Sequence, residues 1–87
     1  MKIKDGFILR EIADSWVVVP IGQRVVEFNG LITLSESGAF LWNKLLSDTT
    51  IEELIKFILL EYDTDEETAK LDINDFIFEL SEKGLIE

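Results

Sequence analysis

The spacing of apolar residues changes once along this 87-residue chain, at Ser35. Before Ser35, short runs rich in Val, Ile and Phe are separated by turn residues, which is the pattern of β-strands. After Ser35, apolar residues recur every three or four positions, which is the pattern of amphipathic helices. Strands followed by helices predict an α+β fold, in which a small antiparallel sheet packs on helices.

The strand-like part begins with two runs, residues 7–13 and 16–21, that we interpret as a hairpin turning at Asp14-Ser15. Pro20 cannot donate a ladder hydrogen bond, so we expect it near the end of its strand or on an edge. The hairpin accounts for two of the three expected strands.

The third strand is predicted at residues 31–34, directly after Asn29-Gly30, a strong turn signal. Because side chains alternate between the two faces of a strand, only one alternate pair can face the core. We expect that pair to be Ile32 and Leu34. Residues 25–28 fit either a strand or a crossing segment, and the sequence does not decide between them.

Three helices are predicted after the strands, the first ending at the break at Ser47-Asp48 and the last running from about residue 65 to residue 83. Each has a start signal in the sequence: Ser35 for the first, Thr50 with Glu53 for the second, and Thr64 with Glu67 for the third. Gly84 is expected to cap the end of the last helix.

The last helix has two apolar edges. At about 100° per residue, one stripe of residues shares the face of Ile73 and predicts the core contact. Leu71 and Phe78 lie on a different side. These two residues either pack on a neighbouring loop or the N-terminus, or form a contact surface such as a peptide groove or a dimer seam.

The composition excludes most catalytic and metal-binding classes. The chain has no cysteine and no histidine, so it lacks thiolate nucleophiles, the usual general base at neutral pH and the commonest metal ligands. We therefore predict no catalytic residues, no cofactor and no metal. Its length leaves room for a single domain, residues 1–87.

The charge argues against nucleic acid and membranes as partners. The formal net charge is −10, and most of it lies after residue 60, so the surface repels phosphate backbones. The N-terminal segment is interrupted by Asp5, Arg10 and Glu11, so it is neither a signal peptide nor a membrane span. We expect a cytoplasmic protein that is a monomer or a weak homodimer.

Two stretches of the sequence together resemble the PqqD-like family, the free-standing form of the RiPP recognition element. They are FNGLITLSESGAFLWNKLL, residues 28–46, and TTIEELIKFILLEYDTDEETAKLDINDFIFELSEKGLI, residues 49–86. The features that carry the resemblance are the Gly-Leu-Ile-x-Leu strand, the small residues Ser37-Gly38-Ala39, Trp42, the Thr-x-x-Glu-Leu helix start, and the aspartate-rich last helix ending in Gly84-Leu85.

The resemblance implies a winged helix-turn-helix-like fold, with a three-stranded antiparallel sheet packed on three helices. It also implies a non-catalytic peptide chaperone of natural product biosynthesis. Such a protein binds the leader of a ribosomally made precursor peptide by strand addition. It delivers the leader to a post-translational modification enzyme such as a radical S-adenosylmethionine maturase. On this chain the expected leader-binding residues are Leu31, Ile32, Thr33, Leu34, Lys70, Leu71, Asn74 and Phe78.

Two departures and two alternatives accompany this hypothesis. Ser35 stands where the family motif has Asn, and residues 22–28 are longer than the connection in pyrroloquinoline quinone proteins, which leaves the pathway open. A small dimeric interaction module could instead use Leu71 and Phe78 as a seam. A winged-helix transcriptional regulator would need a basic recognition helix, and the acidic last helix argues against it.

Overall fold

The computed structural model of the chain describes residues 1–27 and 31–87, without the side chain of Glu27. The elements in chain order are β1 (Phe7–Ile12), β2 (Ser15–Pro20), α1 (Arg24–Glu27), β3 (Ile32–Leu34), α2 (Glu36–Lys44), α3 (Ile51–Glu61) and α4 (Glu66–Glu82). The predicted α+β class and the three antiparallel strands are confirmed. Three helices were predicted, and the described residues contain a fourth, the short helix α1. It overlaps residues 25–28, which the sequence left undecided. Phe28 and the predicted Asn29-Gly30 turn lie outside the described residues.

The hairpin turns one residue earlier than the sequence predicted. Ala13 and Asp14 have positive φ angles of 49° and 65°, and Ser15 pairs with Ile12 as part of β2. Two consecutive positive φ angles are the mark of a two-residue turn whose twist matches the flanking strands. Pro20 is the last residue of β2, as expected, where a missing ladder donor costs least.

The sheet order is β1-β2-β3, so the three-residue strand β3 lies at an edge. Ile32 is buried and Leu34 half-buried, whereas Thr33 between them is exposed. The predicted inward pair is therefore confirmed, and the two inward side chains hold β3 on the core.

The helix starts follow local capping rules, with one correction. Ser35 Oγ accepts a hydrogen bond from the Gly38 N–H at 3.1 Å, as predicted. Thr50 likewise caps α3, because its Oγ1 accepts from the Glu53 N–H at 3.2 Å, and its hydroxyl donates to Glu53 Oε1 at 3.2 Å. Helix α4 is capped by Asp65 and not by Thr64, because the Asp65 Oδ1 accepts from the Thr68 N–H at 2.7 Å. A carboxylate is the stronger acceptor for an amide at a helix start.

The core lies between the sheet and the helices. Its most deeply buried side chains come from both layers and from the C-terminal segment: Val18, Trp42, Leu45, Leu54, Ile73, Leu80 and Leu85. At the end of α4, Gly84 has φ 74°, and the Leu85 N–H donates to the Leu80 carbonyl at 2.9 Å. This glycine-dependent cap turns Leu85 into the core.

Chain segments beyond the seven elements complete the packing. Ile3 forms an isolated antiparallel bridge with Ile86, and the Lys4 N–H donates to the Leu85 carbonyl at 2.9 Å. Within the described ranges, no helix combines the length and the apolar character that crossing a membrane would require.

Candidate functional site

The hydrogen-bonding direction of the sheet follows from one pair at its end. The Ile21 N–H donates to the Gly6 carbonyl at 2.8 Å, so these two residues form a hydrogen-bonded pair just beyond the end of β2. Hydrogen-bonded and non-hydrogen-bonded pairs alternate along an antiparallel ladder. Counting from Gly6 and Ile21, the backbone groups of Trp16 and Val18 therefore point away from β1 and toward β3.

The same alternation fixes which groups of β3 are used. Leu34 lies opposite Trp16 and Ile32 opposite Val18, so both are hydrogen-bonded to β2. Thr33 then forms the non-hydrogen-bonded pair between them and turns its N–H and C=O outward. No strand in the described part of the chain pairs with β3 on that side. This edge, residues 31–34, offers a backbone donor and acceptor to another chain.

A groove continues from the end of β3 along the first turn of α2 and one flank of α4. Its volume is about 260 Å³, and the lining residues are Ser35, Ser37, Gly38, Leu41, Asp72, Asp75, Phe76 and Glu79. Gly38 forms part of its wall, and a Cβ atom added there would lie 3.4 Å from both Phe76 Cε1 and Leu34 Cβ. The start of α2 and Phe76 of α4 are therefore in packing distance at this wall.

The α4 side of the groove is acidic. Glu79 forms an ion pair with Lys83, with Oε1 and Nζ 2.9 Å apart. Across the described ranges, Asp72 and Asp75 have no cationic partner, and no group of acidic side chains is placed to hold a metal ion. The groove thus presents two uncompensated carboxylates to whatever enters it.

A deeper cavity opens beside the groove, between α2, α3 and α4. It has a volume of about 210 Å³, and its lining is mainly apolar: Leu41, Ile58, Tyr62, Ala69 and Ile73, with Ser37, Thr64 and Asp72 as polar members. Ser37, Leu41 and Asp72 line both spaces, so the cavity and the groove are adjacent.

Tyr62 forms one wall of this cavity and is held in place by Phe40. The two rings meet edge to face, with centroids 5.6 Å apart. Partial burial raises the pKa of Tyr62, and the negative charges of Glu36 and Glu61 raise it further. The phenol therefore stays neutral at physiological pH and acts in the cavity as an apolar ring with a polar tip.

The structure separates the predicted site residues into two groups. The first group lies together at the open edge: Leu31, Ile32, Thr33 and Leu34. Leu31 is 65% exposed.

The second group is exposed on α4, and none of its members lines the groove: Lys70, Leu71, Asn74 and Phe78. At about 100° per residue, Leu71 and Phe78 lie opposite the core stripe, and Lys70 and Asn74 lie on the flank away from the groove. Their contact with a bound peptide stays a prediction.

Sequence reasoning missed the α4 residues that do line the groove: Asp72, Asp75, Phe76 and Glu79. Phe76 also packs partly in the core. The signal that could have found them is their spacing, because positions i, i+3, i+4 and i+7 share one side of a helix.

Comparison with known proteins places this geometry in a family. The family described as Coenzyme PQQ synthesis protein D (PqqD) matches residues 15–86. No curated protein matches the chain. A solved structure described as TbiB1 in complex with the TbiA(beta) leader peptide is similar to it, with 29% identity and a TM-score of 0.78, covering 100% of this chain and 95% of that chain.

A second solved structure, described as lasso peptide synthetase B1 complexed with the leader peptide, has the same fold. Its identity is 17% and its TM-score 0.74, over 97% of this chain and 93% of that chain. Because the family match covers residues 15–86, which is most of the sequence, the chain belongs to the PqqD family.

Proposed function

We propose that this chain is a non-catalytic adaptor that binds the leader of a ribosomally synthesised precursor peptide and delivers it to a modifying enzyme. The observation that carries the proposal is the open edge of β3, where Thr33 turns its backbone donor and acceptor outward. A similar protein, at 29% identity over the whole chain, is described in complex with a leader peptide. That similarity supports peptide binding by this chain.

Strand addition suits the chemistry of this edge. A peptide in extended conformation would pair its backbone with Thr33, while Ile32 and Leu34 stay anchored in the core. Main-chain hydrogen bonds give affinity in such complexes, and neighbouring pockets for side chains give specificity. The groove along α4 provides those pockets, because it begins where β3 ends.

In this proposal, the partner enzyme catalyses the modification of the precursor peptide, and the adaptor only binds it. The sequence contains neither histidine nor cysteine, so a nucleophile activated by either residue cannot be built from it. The family resemblance favours a radical S-adenosylmethionine maturase as the partner. One similar structure bears the description lasso peptide synthetase, which makes an enzyme of that kind the second candidate. Activity of each enzyme on a precursor, with and without this chain, distinguishes the two.

Amide hydrogen exchange tests the docking mode at single residues. The probe is a 20-residue peptide selected for binding from a randomised library, added to ¹⁵N-labelled protein. We expect exchange at the Thr33 N–H to slow on binding, because that group gains a partner. The Ile32 and Leu34 amides should change little, since β2 already holds them.

The open edge of β1 provides a matched control. By the same alternation, the Leu9 N–H also points away from β2, toward the opposite side of the sheet. Protection at Leu9 but not at Thr33 would move the peptide to the wrong edge and contradict the proposal. Peptides that bind without protecting either amide would exclude strand addition altogether.

A dimeric interaction module remains the second candidate because of one observation. Leu71 and Phe78 are 61% and 67% exposed and lie two turns apart on the outer face of α4. A self-association constant measured by sedimentation for wild type and Phe78→Glu tests it. A dimer that dissociates in the variant would assign this face to a seam.

A further inference from the structure

The groove and the cavity together suggest what kind of peptide the site accepts. The cavity of about 210 Å³ adjoins the groove, and Ser37, Leu41 and Asp72 line both. A peptide that follows β3 past its end therefore passes the cavity mouth. A cavity of about 150 Å³ lined by aliphatic and aromatic side chains is large enough to bind benzene. This one has room for a side chain of the size of leucine or phenylalanine.

The walls of the cavity favour an apolar occupant. Ile73, Ala69 and Leu41 are buried, and Tyr62 presents its ring. None of these side chains offers an ionised group to a ligand. An apolar side chain placed here would be removed from water at a gain of about 25 cal/mol for each Å² buried.

The mouth of the cavity has the opposite character. Asp72 lines both the cavity and the groove, and Asp75 follows it along the groove. Neither carboxylate has a cationic partner among the described residues. A positively charged side chain next to the apolar one would compensate this charge, whereas an acidic peptide would be repelled.

We propose that the bound peptide carries an apolar anchor for this cavity, directly adjacent to a lysine or arginine that lies over Asp72 and Asp75. The inference rests on the proposed function and specifies its substrate class: an apolar-basic segment just beyond the stretch that pairs with β3. The apolar anchor supplies most of the discrimination, and the basic residue sets the register of the peptide along α4.

Peptide selection and one pair of tryptophan variants, one at the site and one as a control, test the proposal. The probe is a randomised 20-residue peptide library displayed on mRNA and selected on wild-type protein. We expect the enriched peptides to share an apolar residue next to a basic one. Ser37→Trp should block the cavity mouth from an exposed position, and it should weaken a selected peptide by about tenfold or more. Asn43→Trp, exposed on the same helix, is the matched control and should change affinity by less than about twofold.

The charge is tested separately. Asp72→Asn with Asp75→Asn should weaken the selected peptide by about threefold to tenfold at low salt, and less at high salt. Glu66→Gln with Glu67→Gln removes the same charge from the same helix outside the groove, and it should have no comparable effect. Replacing the peptide's basic residue by glutamine should abolish the difference between wild type and the aspartate variant.

The outcomes separate this inference from the proposed function. Peptides that protect Thr33 but are unaffected by Ser37→Trp, or that share no apolar-basic pair, overturn the inference and leave strand addition standing. A library that yields no peptide protecting Thr33 overturns the proposed function itself. Circular dichroism of each variant confirms that a lost affinity is not a lost fold.

Discussion

Val17 and Thr33 face each other across β2 and β3 as a non-hydrogen-bonded pair, which leaves the Thr33 N–H and C=O pointing to the open edge. Thr33→Pro removes that N–H without removing a hydrogen bond to β2. We expect the variant to fold and to bind a selected peptide about threefold to tenfold more weakly, the loss of about one backbone hydrogen bond. Fluorescence anisotropy with a labelled peptide measures the change.

Glu11→Pro is the control for that experiment. Glu11 lies on β1, is exposed, and by the same alternation also points its N–H away from β2. The substitution therefore imposes a similar backbone restriction at the opposite edge. Equal losses in the two variants would show that proline disturbs the sheet and would remove Thr33 from the binding edge.

Phe78→Glu tests the part of the site that the sequence predicted on α4. Phe78 is 67% exposed, so we expect an unchanged thermal midpoint. Since the sequence predicts that this residue contacts the leader, we expect peptide affinity to fall by about tenfold to a hundredfold. A peptide confined to the groove on the neighbouring flank would instead lose about threefold or less. Leu60→Glu, at an 86% exposed position of α3, is the matched control. A loss of about tenfold or more in Phe78→Glu alone would show that the peptide crosses onto the outer face of α4.

The N-cap of α4 makes stability depend on pH. Hydrogen bonds from the backbone N–H and the side chain of Thr68 hold the pKa of Asp65 below its ordinary value of 3.8. Since the folded pKa is the lower one, this stabilisation is fully present above pH 3.8 and is lost as pH falls through the folded pKa. We expect Asp65→Ala to lower the thermal midpoint at pH 7 and to lower it much less at pH 2.

Asp65→Asn separates the cap from its charge. Asparagine is also a good N-cap, so this variant should keep most of the thermal midpoint at pH 7. Its stability should lack the acid-dependent loss that Asp65 contributes. Thermal unfolding followed by circular dichroism between pH 2 and pH 7 measures both variants, and parallel curves for wild type and Asp65→Asn would contradict the assignment.

Gly84→Ala tests the cap that turns Leu85 into the core. Gly84 has φ 74°, in the left-handed region where an L-residue costs about 1–2 kcal/mol. The added methyl group meets no atom within 4 Å, so the cost comes from the backbone alone. We expect chemical denaturation to show that loss, and Gly84→Asn to show less of it. An alanine variant as stable as wild type would mean that the C-terminal segment rearranges.

Features that depend only on neighbouring residues could be predicted from the sequence. The order of the three strands and of α2 to α4, the caps at Ser35 and Thr50, and the left-handed Gly84 all follow from interactions within a few positions of the chain. The inward pair of β3 also followed, because alternation along a strand needs only one buried face. Residue 65 was missed as the α4 cap because Thr64 with Glu67 matches the capping box equally well.

The surroundings of β3 could not be predicted in the same way, because they depend on how the helices pack. Helical periodicity showed that α4 has more than one side, but it does not say which neighbour covers which side. With Phe76 close to Gly38, Asp72 and Asp75 line the groove that begins after β3, and Phe78 lies on the outer face. The outward direction of the Thr33 N–H likewise depends on the register with β2. Register and helix rotation come from contacts between residues far apart in the chain, and local patterns do not contain them.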